Sequence, residues 1–545
     1  MVEVTNSNFK ELLPLIKNAI DESSFIAIDA EFTGLYLGAT NEASLFDSME
    51  NRYQKLKARA SSFLPCQIGL STFKKDGEEN IYLVETYVFY IRPYMCGSID
   101  RRFMCQASCL DFLCQYDFDF NKFIKEGIPY LNEVEEIEIR KQIEENTISY
   151  GHMKLMASKS KIELDMLINS FLKLKPSNNI SQETEKANRL VLDRETIYHE
   201  YFQISELRRK YPTLKIYSEN DKIIVEKCTK ENNEFVLNYE AEKENLIEHY
   251  IGFSKVLKHL KSYNKPMIGH NLLMDLLLLF HNFYKPLPNT YKEFKQELHG
   301  LFPLIFDTRH IWLHVKKFYK FKEISTQSGL FDLFEMFKKP NDSLSTLFSP
   351  DVKHTNSDKY LSEKFPHESG YDSYVTGWVF LKICHALALN KISNPVFVRP
   401  QTFKQHLKAV YPFQNKINIA RSKIRYIDLS GDDPTPVESQ LLHIRVRNNK
   451  KLLNQSELSR LFDKYGLIEF KLNQNKKEAI LAIGNLRSFR EILKDFSKDP
   501  EFDVSKYNVL RHSPVVNTAI WLTSLGVCTI AAFYCAKFYT ASRCS

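Results

Sequence analysis

Residues 25–35, FIAIDAEFTGL, decide the fold class of this chain. Apolar and small residues fill the first half, which predicts a buried strand, and the run ends at Gly34. On a strand, Asp29 and Glu31 face the same side. Because two neighbouring carboxylates repel each other unless a proton or a cation lies between them, the pair is typical of a site for a hard divalent metal ion. Two solvated acids at a strand end are the alternative.

The segment IGHNLLMDLLLLF, residues 268–280, places a further carboxylate in an apolar helix. An unpaired charge at Asp275 would be costly among leucines, so we predict that Asp275 binds a metal ion or packs against a partner. Asn271 lies four residues earlier, which predicts that both side chains occupy one face near the start of the helix.

The segment FPHESGYDSYVTGW, residues 365–378, supplies a histidine and a third position for an acid. On one continuous helix, His367 and Asp372 would point about 140° apart. We therefore predict that His367 lies on a loop and that the helix after it carries Asp372 inward. A histidine with a near-neutral pKa can take a proton from water.

The order DxE, NxxxD and HxxxxD resembles the pattern of DEDD-type 3′→5′ exonucleases, in the branch that uses a histidine. Four longer stretches resemble the poly(A)-specific ribonuclease family: ENRYQKLKARASSFLPCQIGLSTF (50–73), FMCQASCLDFLCQYDFDFNKFIKEGIPYLN (103–132), IGHNLLMDLLLLF (268–280) and HESGYDSYVTG (367–377). The resemblance implies an α/β, ribonuclease H-like nuclease core, interrupted by a small domain and followed by a ferredoxin-like domain of the RNA-recognition-motif (RRM) type.

The resemblance also implies the chemistry of the site. Two Mg²⁺ ions would be held by Asp29, Glu31, Asp275 and Asp372, and His367 would take the proton of the attacking water. Two such ions can activate the water, neutralise the phosphate and stabilise the leaving 3′ oxygen. The products would be a 5′-nucleoside monophosphate and an RNA one residue shorter.

Several residues near the acids are candidate RNA contacts. Leu110 and Phe112 match positions that contact RNA in the family, and Phe32 and Leu35 could wedge against or stack on the terminal base. Asn271 is either a contact to the terminal ribose or a helix cap. Asp307, in IFDTRHIW, is predicted as a helix cap and not as a metal ligand. The basic run RYQKLKAR, residues 52–59, either guides phosphates or is a solvated helix face.

Changes in composition and in the helix and strand patterns along the chain predict four segments. They are a split nuclease domain at 1–145 and 246–405, an inserted small nucleic-acid-binding-like α/β domain at 146–245, an RRM-like domain at 406–510, and a transmembrane tail anchor at 515–536. Within the third segment, residues 439–496 alternate as strand, helix, strand, strand and helix. The strand EAILAIGN offers no ring for base stacking, so protein contact is an alternative to RNA binding. Residues 338–359 are predicted as a loop.

The insert departs from the family pattern at one point. RETIYH spaces Arg194 and His199 by five residues, one more than the motif after which such domains are named. Nucleic-acid binding by the insert therefore stays open.

Residues 515–536, VVNTAIWLTSLGVCTIAAFYCA, carry no charge over 22 residues. A helix needs about 20 residues to span a bilayer, so we predict a tail anchor with the catalytic domain in the cytosol; a buried core helix is the alternative. Polar residues in the span and basic residues after it favour the mitochondrial outer membrane over the endoplasmic reticulum. A C-terminal membrane span is a feature in which this chain resembles the PARN-like domain-containing branch of the family. The animal members of that branch trim PIWI-interacting RNA (piRNA) precursors, in some cases with a Tudor-domain scaffold.

The composition sets outer bounds on function. With 545 residues, 43% hydrophobic and 26% charged, the chain is a folded globular protein of about three or four units, which excludes fibrous and disordered classes. The net charge of +7 suits a polyanionic partner. Ten cysteines occur without a CxxC pair, and the cluster of Cys105, Cys109 and Cys114 lacks neighbouring histidines, which indicates reduced thiols and no zinc site.

We predict a Mg²⁺-dependent 3′→5′ exoribonuclease that trims the 3′ ends of PIWI-bound piRNA precursors. Its expected partners are the single-stranded 3′ end of the RNA, the PIWI protein, a Tudor-domain scaffold and the lipid bilayer. A homodimer is a further possibility, because the soluble deadenylases of the family dimerise through the nuclease domain; no motif in this sequence favours or excludes it. The alternatives are a membrane-tethered poly(A) deadenylase and a non-catalytic RNA-binding adaptor.

Overall fold

The computed structural model describes most of the chain. The described residues are 1–77, 80–145, 166–173, 189–193, 204, 207, 208, 210, 211, 214–219, 222–227, 234–316, 328–338, 347–356, 359–390, 399–435, 441–447, 452–512, 516, 522, 523 and 525–532. The chain divides into two compact units. The first contains Met1–Asn41, Leu56–Asn418 and Asp428–Gly431, and the second contains Glu42–Lys55, Ile419–Ile427 and Asp432–Ser545.

The described strands, in chain order, are β1 (Val2–Val4), β2 (Phe25–Phe32), β3 (Pro65–Lys75), β4 (Ile81–Tyr90), β5 (Arg189–Asp193), β6 (Leu214–Glu219), β7 (Lys222–Lys227), β8 (Met267–Gly269), β9 (Ile305–Asp307), β10 (Asp351–His354), β11 (Lys416–Asn418), β12 (Tyr426–Asp428), β13 (Leu441–Val446), β14 (Ile468–Leu472), β15 (Glu478–Ile483) and β16 (Phe502–Lys506).

The main described helices are α1 (Phe9–Glu22), α2 (Met49–Ser62), α3 (Ala107–Gln115), α4 (Phe120–Glu126), α5 (Glu133–Glu144), α6 (Glu234–Ile251), α7 (Ser254–Ser262), α8 (Leu273–Leu279), α9 (Tyr291–Leu301), α10 (Thr308–Val315), α11 (Leu330–Lys338), α12 (Lys359–Ser362), α13 (Ser369–Leu389), α14 (Phe403–Val410), α15 (Gln455–Phe462), α16 (Leu486–Asp495) and α17 (Val509–His512).

A seven-stranded mixed sheet forms the centre of the first unit. Its order is β1-β4-β3-β2-β8-β9, and β10 also pairs with β4. Strands β2, β3 and β4 are antiparallel neighbours, whereas β8 and β9 continue from β2 in parallel. The stretch FIAIDAEF is β2, with its first four residues buried. The predicted strand that carries the acids is therefore confirmed, in the middle of the sheet.

The helix α13 packs against this sheet through buried apolar residues. Its residues Val375, Val379 and Phe380 are fully buried in a core cluster that also contains Phe25 and Phe73. The two latter rings stack with centroids 4.6 Å apart. Because α13 is buried along nearly its whole length, the sheet and the helix fix each other firmly.

The described part of the predicted insert contains a small antiparallel sheet in the order β5-β7-β6 with its own apolar core. Arg194 and His199 lie outside the described residues. The helix α6 runs through the predicted boundary between residues 245 and 246.

The predicted loop at 338–359 is wrong in one part. Asp351–His354 form the edge strand β10, which pairs in parallel with Ile81–Val84 of β4. Backbone hydrogen bonds to an existing strand stabilise this short segment, although its side chains carry little strand signal.

The second unit contains a four-stranded antiparallel sheet in the order β14-β15-β13-β16. The described residues between 439 and 496 show the predicted strand–helix–strand–strand–helix order, with α15 and α16 as the helices, and β16 follows as a fourth strand beside β13. Apolar residues of the strands and both helices share one core. The first unit extends to Asn418, beyond the predicted start of the RRM-like domain at 406.

Of the predicted span at 515–536, the structure describes residues 516, 522, 523 and 525–532. Among the described residues, no helix has the length and apolar character needed to cross a bilayer.

Candidate active site

Strand β2 presents Asp29 and Glu31 on one face, where they are partly exposed. In the antiparallel pairing with β3, Asp29 lies opposite Gly69 and Glu31 lies opposite Gln67, and the register shifts just after Glu31. Since the pairing with β3 fixes the backbone at both residues, the direction of both carboxylates is set by the sheet.

Asp275 lies in the first turn of α8 and is only 9% exposed. The prediction that Asn271 shares its helical face is wrong. The helix starts at Leu273, and Asn271 precedes it with φ of +60° in the left-handed region. Asparagine tolerates that conformation better than most residues, so Asn271 belongs to the turn between β8 and α8.

His367 and Asp372 have the predicted arrangement. His367 precedes α13 with φ of +64°, and Asp372 lies in the first turn of that helix, 7% exposed. The backbone N–H of His367 donates to Oδ1 of Asp372 over 3.2 Å. Gln67, which we did not predict, accepts from both the backbone N–H and the hydroxyl of Ser369, at 3.0 and 2.9 Å. It therefore ties the start of α13 to the strand opposite Glu31.

Gly69 allows this helix to approach the sheet. A Cβ atom on Gly69 would lie 1.9 Å from the carbonyl oxygen of Ser369, which no side chain can occupy. Since Gly69 is paired with Asp29 and Ser369 is three residues before Asp372, the contact brings the two carboxylates together. A glycine in a strand can mark such a close backbone approach, but the sequence does not say which element approaches.

All four carboxyl groups have raised pKa values, and burial is the largest cause for each. Burial raises the pKa of Asp29, Glu31 and Asp275 well above the usual range and that of Asp372 to about 8. After burial, the charge of Asp372 raises the pKa of Asp29, and the charge of Asp29 raises those of Glu31 and Asp275. Carboxylate oxygens crowded in this way fit hard divalent cations, which would relieve the repulsion.

One ligand atom each of Glu31, His367 and Asp372 lies within 4.8 Å of the others. The His367 ring contacts two aromatic rings, with centroids 4.8 Å from Phe112 and 4.4 Å from Tyr116. Burial lowers the pKa of His367, so its imidazole is neutral near pH 7 and can accept a proton. Tyr116 gave no signal in the sequence, because its contact depends on how α3 packs.

Four of the five candidate RNA contacts lie on two segments near the acids. Phe32 ends β2, and the exposed Leu35 follows it, held by Gln106, whose side-chain oxygen accepts the backbone N–H groups of Leu35 and Tyr36 at 3.0 and 2.9 Å. Leu110 and Phe112 lie on α3, directly after Gln106. Phe112 is 38% exposed and touches His367, whereas Leu110 is half-buried. The role of Gln106 could not be predicted from the sequence, because its partners are backbone groups about 70 residues earlier in the chain.

Asp307 caps α10, as predicted, and has a wider role that the sequence did not show. It is fully buried, and its carboxylate accepts five backbone N–H groups, those of Asn271, Leu272, Arg309, His310 and Asn418. Burial raises its pKa, and these N–H groups oppose the rise. Asp307 thus joins the turn before Asp275 to β9, α10 and β11.

The basic run at 52–59 is not a fully solvated helix face, because most of its residues are buried or half-buried. All four of its cations bond to protein groups. Arg52 and Lys55 pair with Asp47, Lys57 donates to Asn289, and Arg59 donates to the carbonyl of Asn41.

Comparison with known proteins places this arrangement in a family. The model of the CAF1 family ribonucleases matches residues 4–380. The pre-piRNA 3′-exonuclease trimmer of Bombyx mori is 31% identical over 534 residues, 96% of both chains. The human poly(A)-specific ribonuclease PNLDC1 is 31% identical over 91% of this chain and 94% of its own. The poly(A)-specific ribonuclease PARN of Xenopus laevis is 31% identical over 86% of this chain and 75% of its own.

The matched region contains Asp29, Glu31, Asp275, His367 and Asp372, which the structure brings together from β2, α8 and the start of α13. The chain belongs to the CAF1 family of ribonucleases.

Proposed function

We propose that this protein is a 3′→5′ exoribonuclease that trims the 3′ ends of piRNA precursors. The observation that carries the proposal is the cluster of four carboxyl groups with raised pKa values, with His367 beside two of them. Family membership supports ribonuclease activity, and the Bombyx mori relative, which aligns over 96% of both chains, is a pre-piRNA 3′-exonuclease trimmer.

Asp29, Glu31, Asp275 and Asp372 would hold two Mg²⁺ ions, because carboxylate oxygens are the donors this hard cation prefers. When bound, the ions would supply water activation and charge neutralisation at the phosphate.

The chain's own groups perform the remaining tasks. His367 is neutral near pH 7, so it accepts the proton of the attacking water, and the rings of Phe112 and Tyr116 hold its imidazole in place. Leu35 and Phe112 are exposed apolar groups beside the acids, suited to contact the terminal bases. These contacts do not depend on base identity, which suits an enzyme that removes any nucleotide.

A membrane-tethered poly(A) deadenylase is the second candidate, and the name of the human relative favours it. Two single-stranded RNAs with the same 5′ body separate the candidates, one ending in oligo(A) and one in mixed sequence. The trimmer shortens both at similar rates. A strong preference for adenine would instead support the deadenylase.

The cellular part of the proposal concerns partners and place. It includes a PIWI protein that carries the RNA, a Tudor-domain scaffold and a tail anchor at 515–536 in the mitochondrial outer membrane, supported by the uncharged sequence of that segment. The test is sequencing of PIWI-bound RNAs from cells that express only an Asp29→Ala variant. Extended 3′ ends are expected, and unchanged ends would contradict the proposal. A non-catalytic adaptor would give unchanged ends as well.

A further inference from the structure

Asn418 contacts a candidate RNA-binding residue from outside the region that the family model matches. It ends β11, its side chain is buried, and the family match stops at residue 380. Its side-chain Nδ2 donates to Oδ1 of Asn271 over 2.7 Å. Its backbone N–H donates to Oδ2 of Asp307 over 3.0 Å.

The same buried carboxylate also fixes Asn271. The backbone N–H of Asn271 donates to Oδ1 of Asp307 over 2.9 Å. Both asparagines are therefore anchored through their backbones to one group that is 0% exposed. With backbones fixed on both sides, the hydrogen bond between the two amides sets the orientation of the Asn271 side chain.

This orientation has a chemical consequence. A carboxamide has one carbonyl oxygen and two N–H donors. Because Asn418 occupies the oxygen of Asn271, and because Asn271 is exposed, the N–H donors of Asn271 are the groups offered to a ligand. A ligand that meets them must supply an acceptor oxygen.

We infer, on the basis of the proposed exoribonuclease function, that Asn418 is a positioning residue that aims the Asn271 amide at an acceptor oxygen of the last RNA nucleotide. The oxygen belongs to the ribose or to the phosphate. Asn271 lies in the turn just before the helix that carries Asp275, which is where the RNA end must arrive. Substrate binding in this chain therefore extends past the family model to β11.

A double-mutant cycle on the full chain tests the coupling. Asn418→Ala and Asn271→Ala should each lower kcat/KM on a 5′-labelled single-stranded RNA by about 5- to 10-fold, the effect of one hydrogen bond. The double variant should be no slower than Asn271→Ala alone, because both changes remove the same contact. Asn418→Asp should be at least as slow as Asn418→Ala, since an acceptor at this position would turn the oxygen of Asn271 toward the RNA.

An RNA with a 2′-deoxy terminal nucleotide identifies the acceptor. If Asn418→Ala loses its effect on that RNA, the acceptor is the ribose 2′ oxygen. If the effect is the same on both RNAs, the acceptor is the ribose 3′ oxygen or a phosphate oxygen. Either result supports the positioning role.

Asn415→Ala is the matched control. Asn415 is also a buried asparagine, and its side chain bonds to the backbone of Ile305 and Pro303 but not to Asn271. It should lower the unfolding temperature at least as much as Asn418→Ala while leaving kcat/KM within about twofold.

Independent, multiplicative losses in the cycle, or an unchanged kcat/KM for Asn418→Ala, would overturn the inference while leaving the exoribonuclease in place. Wild-type protein that shortens no RNA would instead remove the proposed function.

Discussion

At the residue scale, the site consists of acids that are unfavourable for the fold. Asp275 lies among buried leucines, and burial raises the pKa of all four carboxyl groups. Such groups are tolerated where their function requires them. The sequence revealed them for the same reason, because a charge in an apolar helix has no simple structural explanation.

Asp275→Asn separates function from stability. It removes an oxygen ligand and should reduce nuclease activity below about 1% of wild type, a larger effect than the 10–100-fold typical of outer-shell changes. In the presence of a chelator, the free energy of unfolding of this variant, measured with urea, should exceed that of the wild type by about 1–3 kcal/mol. The reason is that a neutral amide replaces a carboxylate whose charge is unfavourable at this buried position. The exposed Asp503→Asn should change neither quantity appreciably. An Asp275→Asn protein with normal activity would exclude Asp275 as a ligand.

His354 makes stability depend on pH. Both ring nitrogens are buried and have no hydrogen-bond partner among the described residues, and the ring packs on Tyr374 with centroids 4.3 Å apart. Burial lowers the pKa of His354 to about 4. The unfolded chain therefore takes up a proton below about pH 6.5 that the folded protein refuses, so stability falls as the pH falls.

His354→Phe removes this effect. The variant should gain about 1.4 kcal/mol relative to wild type on going from pH 7.5 to pH 5.5, measured by urea unfolding at both values. The sign follows from the lowered folded-state pKa, because the unfolded chain binds more protons than the folded protein between about pH 6.5 and pH 4. A difference that stays constant with pH would show that His354 is not held neutral in the folded protein.

At the element scale, the site depends on how closely α13 packs on β3. Their contact point is Gly69, where a Cβ atom would lie 1.9 Å from the Ser369 carbonyl oxygen. Gly69→Ala should displace the start of α13, which carries Asp372. A shift of about 1 Å costs on the order of 100-fold in rate, and overpacking costs about 1–3 kcal/mol of stability.

Gly300→Ala is the control for this prediction. Nothing lies within 4 Å of a Cβ atom at Gly300, which is inside α9. This change should raise stability by about 0.5–1 kcal/mol and leave activity unchanged. Enzyme assays and urea unfolding of both variants decide the matter; equal activity of the two would show that α13 need not approach β3 this closely.

Element types were largely readable from the sequence, whereas their contacts were not. The pattern of FIAIDAEF predicted β2, and the spacing of His367 and Asp372 predicted a loop before a helix. The common helical face of Asn271 and Asp275 was wrong, because a left-handed residue leaves no mark in a periodicity. The strand β10 was missed because its backbone partner, and not its side chains, stabilises it.

At the scale of the whole molecule, the nuclease unit includes more than the family model. Residues up to Asn418 belong to the first unit, although the match ends at residue 380. Asp307 and Asn418 acquire their roles from partners that are distant in the sequence. The sequence alone therefore predicted only that Asp307 caps a helix.

The proposed anchor gives a prediction at this scale. A chain that ends at residue 512 lacks the uncharged segment at 515–536 and keeps every residue of the site. The shortened chain should trim free RNA at the wild-type rate. After carbonate extraction of cell membranes, the full chain should stay in the membrane pellet, whereas the shortened chain should be absent from it. Recovery of the full chain in the soluble fraction would contradict the anchor without touching the catalytic proposal.

The central claim is that Asp29, Glu31, Asp275, Asp372 and His367 form a 3′→5′ exonuclease centre. The most direct test incubates purified wild-type and Asp29→Asn proteins with a 5′-labelled single-stranded RNA of mixed sequence and Mg²⁺. We predict a ladder that shortens one nucleotide at a time from the 3′ end and releases 5′-nucleoside monophosphates, and no shortening by the variant. Intact RNA with the wild-type protein, internal cuts, or equal shortening by both proteins would contradict the account.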